Sequence, residues 1–375
     1  VDLARFTPSY LSTGARIVHV DGARADSYAE DGSLIRPYKA IQDAVDSITD
    51  QAADKKYVVS AAPSVYPENV TTKRHVALCG ASGFGISRET VIRTASGVAL
   101  TVPYRECLVN GIQARSDSAT PAHAAIRVYD DGGGAGDSET FVVNSQGLST
   151  DGGDAVLVES NATGDTAIAL YTSFDGGPSG RAVHIDGGGL IQFLGGIGGE
   201  KNGVLIENGG VALLGAEVGI NCSDSDATAW ALDVDGGFAI LLGNTLGGYN
   251  GLRLSNGGIA ILHDAANIGG FTGVPVQTAA GTVLALGNVA LDQFGAAPWS
   301  TWSVAGITVI LPTGTQGAGT TGVGGPDQRP TAAGNVPPIS YKFFALDITL
   351  GGGTAGTWLT WNGAAWVDTG GTVRP

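Results

Sequence analysis

Gly203-Val204-Leu205-Ile206-Glu207-Asn208-Gly209-Gly210 runs directly into Val211-Ala212-Leu213-Leu214, and the chain repeats this phrase. Ala182-Val183-His184-Ile185-Asp186-Gly187-Gly188 precedes it. Ala231-Leu232-Asp233-Val234-Asp235-Gly236-Gly237 and Gly251-Leu252-Arg253-Leu254-Ser255-Asn256-Gly257-Gly258 follow. The second glycine of each pair stands at 188, 210, 237 and 258, which gives steps of 22, 27 and 21 residues. A period of this size marks a stacked repeat architecture.

After each glycine pair comes a second apolar run: Leu190–Leu194, Val211–Leu214, Phe238–Leu242 and Ile259–Leu262. These runs are too short for helices and rich in branched side chains, so they read as strands. The Asx/Glu-Gly corners supply residues that tolerate positive φ at a sharp bend. One repeat is therefore strand, corner, strand, loop. A lone repeat buries about six side chains at roughly 1.5–3 kcal/mol each, against about 1–2 kcal/mol of backbone entropy for every residue ordered. Only stacking closes that gap.

Looser copies continue upstream (Ala155–Val158, Ala167–Tyr171) and downstream (Val283–Leu286), with loops of varying length and no helical period between about residues 95 and 295. These features predict an all-β chain, a right-handed parallel β-helix (solenoid). An antiparallel sandwich with Gly-rich turns is the alternative. Ala212, Ala239 and Ala260 share one place in successive repeats, each between two larger apolar residues. With the larger neighbours inward, these alanines form an outward stripe for side-by-side packing of copies, three around an axis.

Sixty glycines and only 15% charged residues among 375 suit a turn-rich all-β rod. A net charge of −15 excludes nucleic acid and anionic membrane as partners. No apolar run reaches membrane-spanning length. Cys79, Cys107 and Cys222 are odd in number and widely spaced, which fits buried free thiols made in a reducing cytoplasm better than disulfides. The five histidines (19, 75, 123, 184, 263) lack metal-type spacing, so neither a metal nor a cofactor is expected.

The organisation expected is an arm over 1–35 carrying Arg5, Arg16 and Arg24, then a β-helix with its capping helix over 36–296. A Gly/Thr/Pro-rich linker over 297–336 and a small β tail over 337–375 follow. Pro37 to Ile48 reads as an amphipathic helix with Ile41, Ala44, Val45 and Ile48 on one face. In the tail, Asn362-Gly363 predicts a two-residue type I′ turn between Trp358–Trp361 and Trp366–Asp368. Its rings Trp358, Trp361 and Trp366 are candidates for packing between copies.

Asp31-Gly32-Ser33, Pro37–Val45 and then Tyr66-Pro67-Glu68-Asn69-Val70 resemble the opening of pectin-lyase-like β-helix proteins, where a short helix caps the stack. The resemblance implies the fold and leaves activity open, because the family spans lyases, hydrolases and inert virion spikes. The tail string Arg329-Pro330-Thr331, Asp347–Leu350 and Trp361–Asp368 resembles a module at the ends of bacteriophage fibre, spike and head-surface proteins. It departs from that module in the Gly351–Thr354 insertion. Together these resemblances imply a virion surface protein assembled in the host cytoplasm.

The chain lacks the Asn-Thr-Asp and Gly-His-Gly segments of the galacturonase-like branch. Carboxylates at Asp186, Glu207 and Asp235 recur before the glycine pairs and stack as a ladder, with Asp233 beside them. Corner geometry accounts for these residue types; if the protein is an enzyme, they are the catalytic candidates. The expectation is a non-enzymatic, trimeric capsid decoration (cement) protein whose arm grips the major capsid protein. The alternative is a tailspike or fibre binding host surface polysaccharide, with depolymerase activity as the enzyme-class variant.

Overall fold

The computed structural model describes residues 14–80, 89–120, 123–132, 139–161, 164–199, 201–263, 267–268, 272–274, 276–279, 281–286, 308–310, 321–324, 342–349, 355–361, 365–368 and 373–374. Strands pair in parallel from coil to coil along three faces, and each coil contributes one strand to each face in turn. In one coil Val183–Asp186 lies on one face, the chain turns at Gly187-Gly188, and Gly189–Gly199 bends to supply the other two. The next coil repeats this with Asn202–Glu207 and Val211–Cys222. The fold is the parallel β-helix.

The corners behave as their residues require. Gly187, Gly209, Gly236 and Gly257 all have φ between +70° and +80°, and Asn208 and Asn256 join them at +54° and +49°. Only glycine, and less readily Asn, adopts this region at low cost.

Inward positions stack into one continuous core. Val183, Ile185, Val204, Ile206, Leu232, Val234, Leu252 and Leu254 are fully buried on the first face. On the second face the inward pairs are Ala212 with Leu214, Ala239 with Leu241, and Ala260 with Leu262, all at 0% exposure. This corrects the expected parity. The alanines point into the rod, while Leu213, Ile240 and Ile261 point out. The corner explains why: a Cβ on Gly210 would lie 2.8 Å from Ile185 Cγ2, and one on Gly237 would lie 2.5 Å from Ile206 Cγ2. Branched side chains of the first face already fill that corner, so the next inward position holds only a methyl group.

The capping helix is shorter than the periodicity predicts, Ile41–Ser47, with Ile41, Ala44 and Val45 buried on the end of the stack. Its N-cap, Ala40, has no side chain able to accept. Glu68 does that work from a later segment, accepting from the Ile41 and Gln42 amides at 2.8 and 2.9 Å. Within the stretch read as an arm, Arg16–Val20 pairs in parallel with Tyr57–Ala61 as the first strand of the stack. Arg5 lies outside the described residues. Thr308–Ile310, inside the stretch read as linker, pairs with Val283–Leu286 and carries the stack past residue 296.

Lys342–Thr349, Ala355–Trp361, Trp366–Asp368 and Val373–Arg374 form an antiparallel sheet, joined in parallel by Thr321–Gly324. Trp361 pairs with Trp366, and the turn expected at Asn362-Gly363 lies outside the described residues. Leu359 and Trp366 are buried; the side chains of Trp358 and Trp361 lie outside the described ones.

Candidate functional site

The first face carries the charge. Because successive residues of a strand alternate in direction, burying Val183 and Ile185 turns His184 and Asp186 outward. Parallel register then stacks like positions into columns. One column runs Leu157, His184, Leu205, Asp233, Arg253, Gln277. The next runs Glu159, Asp186, Glu207, then Asp235 and Ser255. The carboxylate ladder expected from the repeats is therefore formed, and it gains Glu159 at its upstream end.

Each carboxylate has its own partner. Arg127 Nη2 donates to Glu159 Oε2 at 2.9 Å. Asn208 Nδ2 donates to Asp186 Oδ1 at 2.7 Å. Ser255 Oγ donates to Asp235 Oδ1 at 2.9 Å, and the Asn256 amide also donates there. Asp233 is buried, gripped by both arms of the Arg253 guanidinium, with Nε 2.8 Å from Oδ1. Asn202 Nδ2 adds a third donor at 3.3 Å. Arg253 lies over the buried Trp230 ring, 5.4 Å from its centroid. The buried carboxylate holds the partly exposed guanidinium against an aromatic face.

The most constrained group is His184. Its Nδ1 meets Asp154 Oδ2 at 2.9 Å, and its Nε2 meets Glu207 Oε1 at 2.9 Å. Both ring nitrogens face carboxylate oxygens. Asp154 is only 2% exposed and also accepts both Nε and Nη2 of Arg181, at 2.8 and 3.0 Å. Glu207 keeps one oxygen toward solvent, its side chain being 31% exposed. The network thus runs from a buried carboxylate through an imidazole to a half-exposed carboxylate on three successive coils.

Among the candidates named from sequence, Asp186, Glu207, Asp233 and Asp235 share this face. Asp154, Arg181, Asn202 and Trp230 were not among them, and neither was His184. The missed signal is the coil offset: Asp154 stands 27 residues before Arg181, the same kind of step that separates the glycine pairs. Arg16 donates to the Tyr57 hydroxyl at 3.2 Å, and Arg24 pairs with Asp26, so both serve the start of the rod. No group of metal-ligating side chains is assembled among the described residues. No helix there is long and apolar enough to cross a membrane.

No protein-family model and no curated protein matches the chain. Among solved structures it is similar to tailspike protein 2 of an Escherichia coli bacteriophage, at 10% identity and a TM-score of 0.51. That match covers 80% of this chain and 42% of the tailspike, so the chain spans less than half of the larger protein. The enzymatically active domain of the same phage protein matches at 11% identity and a TM-score of 0.47, over 84% and 48% of the two chains. Carrot pectin methylesterase matches at 11% identity and a TM-score of 0.45, over 80% and 90%. At these identities the likeness is one of fold. The parallel β-helix expected from the repeats is the fold observed.

Proposed function

We propose that this chain is the β-helical body of a bacteriophage receptor-binding protein of the tailspike or fibre type, holding host surface polysaccharide along its charged face. One observation carries this reading: two adjacent columns, one holding His184, Asp233 and Arg253 with Leu205 between the first two and the other holding Glu159, Asp186, Glu207 and Asp235, set at least one fixed polar group on each of five successive coils. A polysaccharide presents hydroxyls at regular spacing, and a strip of pre-oriented polar groups backed by Trp230 suits it. The fold shared with a phage tailspike supports the same reading, as does the tail string's resemblance to virion modules. Capsid decoration finds no such support, and Arg16, part of the arm on which it rested, belongs to the rod. The partners proposed are host polysaccharide and further copies of the chain, at the virion surface.

An array of bacterial capsular and O-antigen polysaccharides tests the proposal. Binding that falls at least tenfold in Arg253→Ala supports it; binding unchanged in that folded variant contradicts it. A second reading, depolymerase activity, is favoured by the Asp154–His184–Glu207 network, which can hold and return a proton at Glu207. Release of reducing ends from the bound polysaccharide, abolished in Glu207→Gln, is its signature.

A further inference from the structure

The third face of the rod carries two arginines side by side. Arg93 of Thr90–Thr94 and Arg115 of Gln113–Ser116 are in register on neighbouring strands, about 4.8 Å apart along the stack. Both point outward, with side chains 50% and 33% exposed. Like charges set opposite one another oppose strand pairing, and Asp117 stands between them. Arg93 Nε donates to its Oδ2 at 2.5 Å, Arg115 Nε to its Oδ1 at 2.7 Å, and Thr150 Oγ1 also donates to Oδ1. The carboxylate thus grips each guanidinium by Nε alone. The Nη groups of both arginines donate to nothing among the described residues. Two cations against one carboxylate leave a surplus positive charge, in a chain whose net charge is −15. In the adjoining outward column Gln113 Nε2 donates to Gln146 Oε1 at 2.6 Å, which leaves one amide acceptor and one amide donor over. Further along the face Asp175 is in register with Gly198, and Gly196 with Gly219. A Cβ on Gly196, Gly198 or Gly219 would meet nothing within 4 Å, so the face continues there as bare backbone.

We infer that Arg93 and Arg115 form a binding site for one oxyanion group, carboxylate or phosphate, carried by an acidic glycan lying along the third face. The site is separate from the charged first face and does not depend on ligand binding there. A guanidinium fork matches the paired oxygens of a carboxylate or phosphate, and hydrogen bonds between full charges are the strong ones. Asp117 holds the Nε side of both forks, so they are oriented before the anion arrives and lose less side-chain freedom on binding. The surplus charge matches a single monoanion. The neighbouring groups suit the rest of a sugar: the two glutamine amides offer one acceptor and one donor to hydroxyls, and the glycine stretch is a level floor for a pyranose chain. The first face repels such a ligand, because Glu159, Asp186, Glu207 and Asp235 line one of its columns. An acidic glycan therefore has its complement on the third face.

Titration of the full chain, read by saturation-transfer NMR of the added sugar, tests the inference. Trigalacturonate probes the carboxylate, glucose 6-phosphate the phosphate, and maltotriose is the neutral control. The wild type is expected to bind at least one charged probe about tenfold more tightly than maltotriose; which one it prefers identifies the source of the oxyanion. Arg93→Gln is expected to weaken that binding about tenfold. Arg115→Lys keeps a cation beside Asp117 but loses the fork, so it should weaken binding about fivefold with the melting temperature unchanged. Arg253→Ala, on the first face, should bind the charged probe as the wild type does. A wild type that binds neither charged probe, or binds maltotriose equally well, overturns the inference. So does charged-probe binding that is unchanged in Arg115→Lys and Arg93→Gln, or that is lost in Arg253→Ala.

Discussion

His184 Nε2 lies 2.9 Å from Glu207 Oε1 across one step of the stack, and its other nitrogen reaches Asp154 one step back. A single ring therefore ties three coils together on the face that we assign to ligand binding. Removing different members of this network has unequal consequences. Asp154→Ala strands Arg181 and His184 around a buried void and should cost about 3–5 kcal/mol. His184→Ala leaves the Asp154–Arg181 pair intact and should cost about 2–3 kcal/mol. Glu207→Gln, half-exposed and still able to accept, should cost less than about 1 kcal/mol. Denaturant unfolding of the three variants checks the order.

Acid should loosen the upstream half of the rod at a named point. Burial alone would push Asp117 up, but Arg115, Thr150 and Arg93 all donate to it and lower its pKa to about 2. Those bonds measure 2.7, 2.7 and 2.5 Å. A carboxylate whose folded pKa lies below its unfolded value of about 3.9 stabilises the fold above that value. The contribution is lost as pH falls from about 4 toward 2. Allowing for solvent at the guanidiniums, the loss is on the order of 1 kcal/mol. Melting curves at pH 4 and pH 2 should show a smaller drop for Asp117→Asn than for the wild type.

The thiols should be inert while the chain is folded. Burial pushes Cys107 up to about 12 and Cys79 up to about 11, from an ordinary value of 9.0. The thiolate is the reactive species, so Cys79, though only partly buried, should alkylate roughly a hundredfold more slowly than a free thiol at pH 8. Iodoacetamide labelling followed by mass spectrometry, before and after unfolding, reads this directly. Rapid labelling of folded Cys79 would contradict the packing around it.

The rod's interior is as tight as its corners imply. Ala239→Leu forces a larger side chain into a position with no exposure and should destabilise by about 1–3 kcal/mol. Ile240→Thr, one residue on and facing out, should cost under about 1 kcal/mol when no partner copy is bound. Thermal melts of dilute protein separate the two.

These residues also mark what the sequence makes legible. The glycine-pair corners disclose the coil because positive φ leaves a compositional trace at Gly187, Gly209, Gly236 and Gly257. The carboxylate ladder is legible for the same reason: residues that precede equal corners must stack. The direction of Ala239 is not, since an alternating apolar run looks the same whichever set faces inward, and only the crowded corner decides. The Glu68 cap and the Asp154–His184 bond join residues about a coil apart, and only the coil offset, not either local run, marks such pairs.

Immunogold electron microscopy of virions carrying this chain tests the central claim most directly. A receptor-binding role predicts label at the tail, in a few clusters per particle. Label spread over the head, in numbers comparable to the major capsid protein, would contradict it.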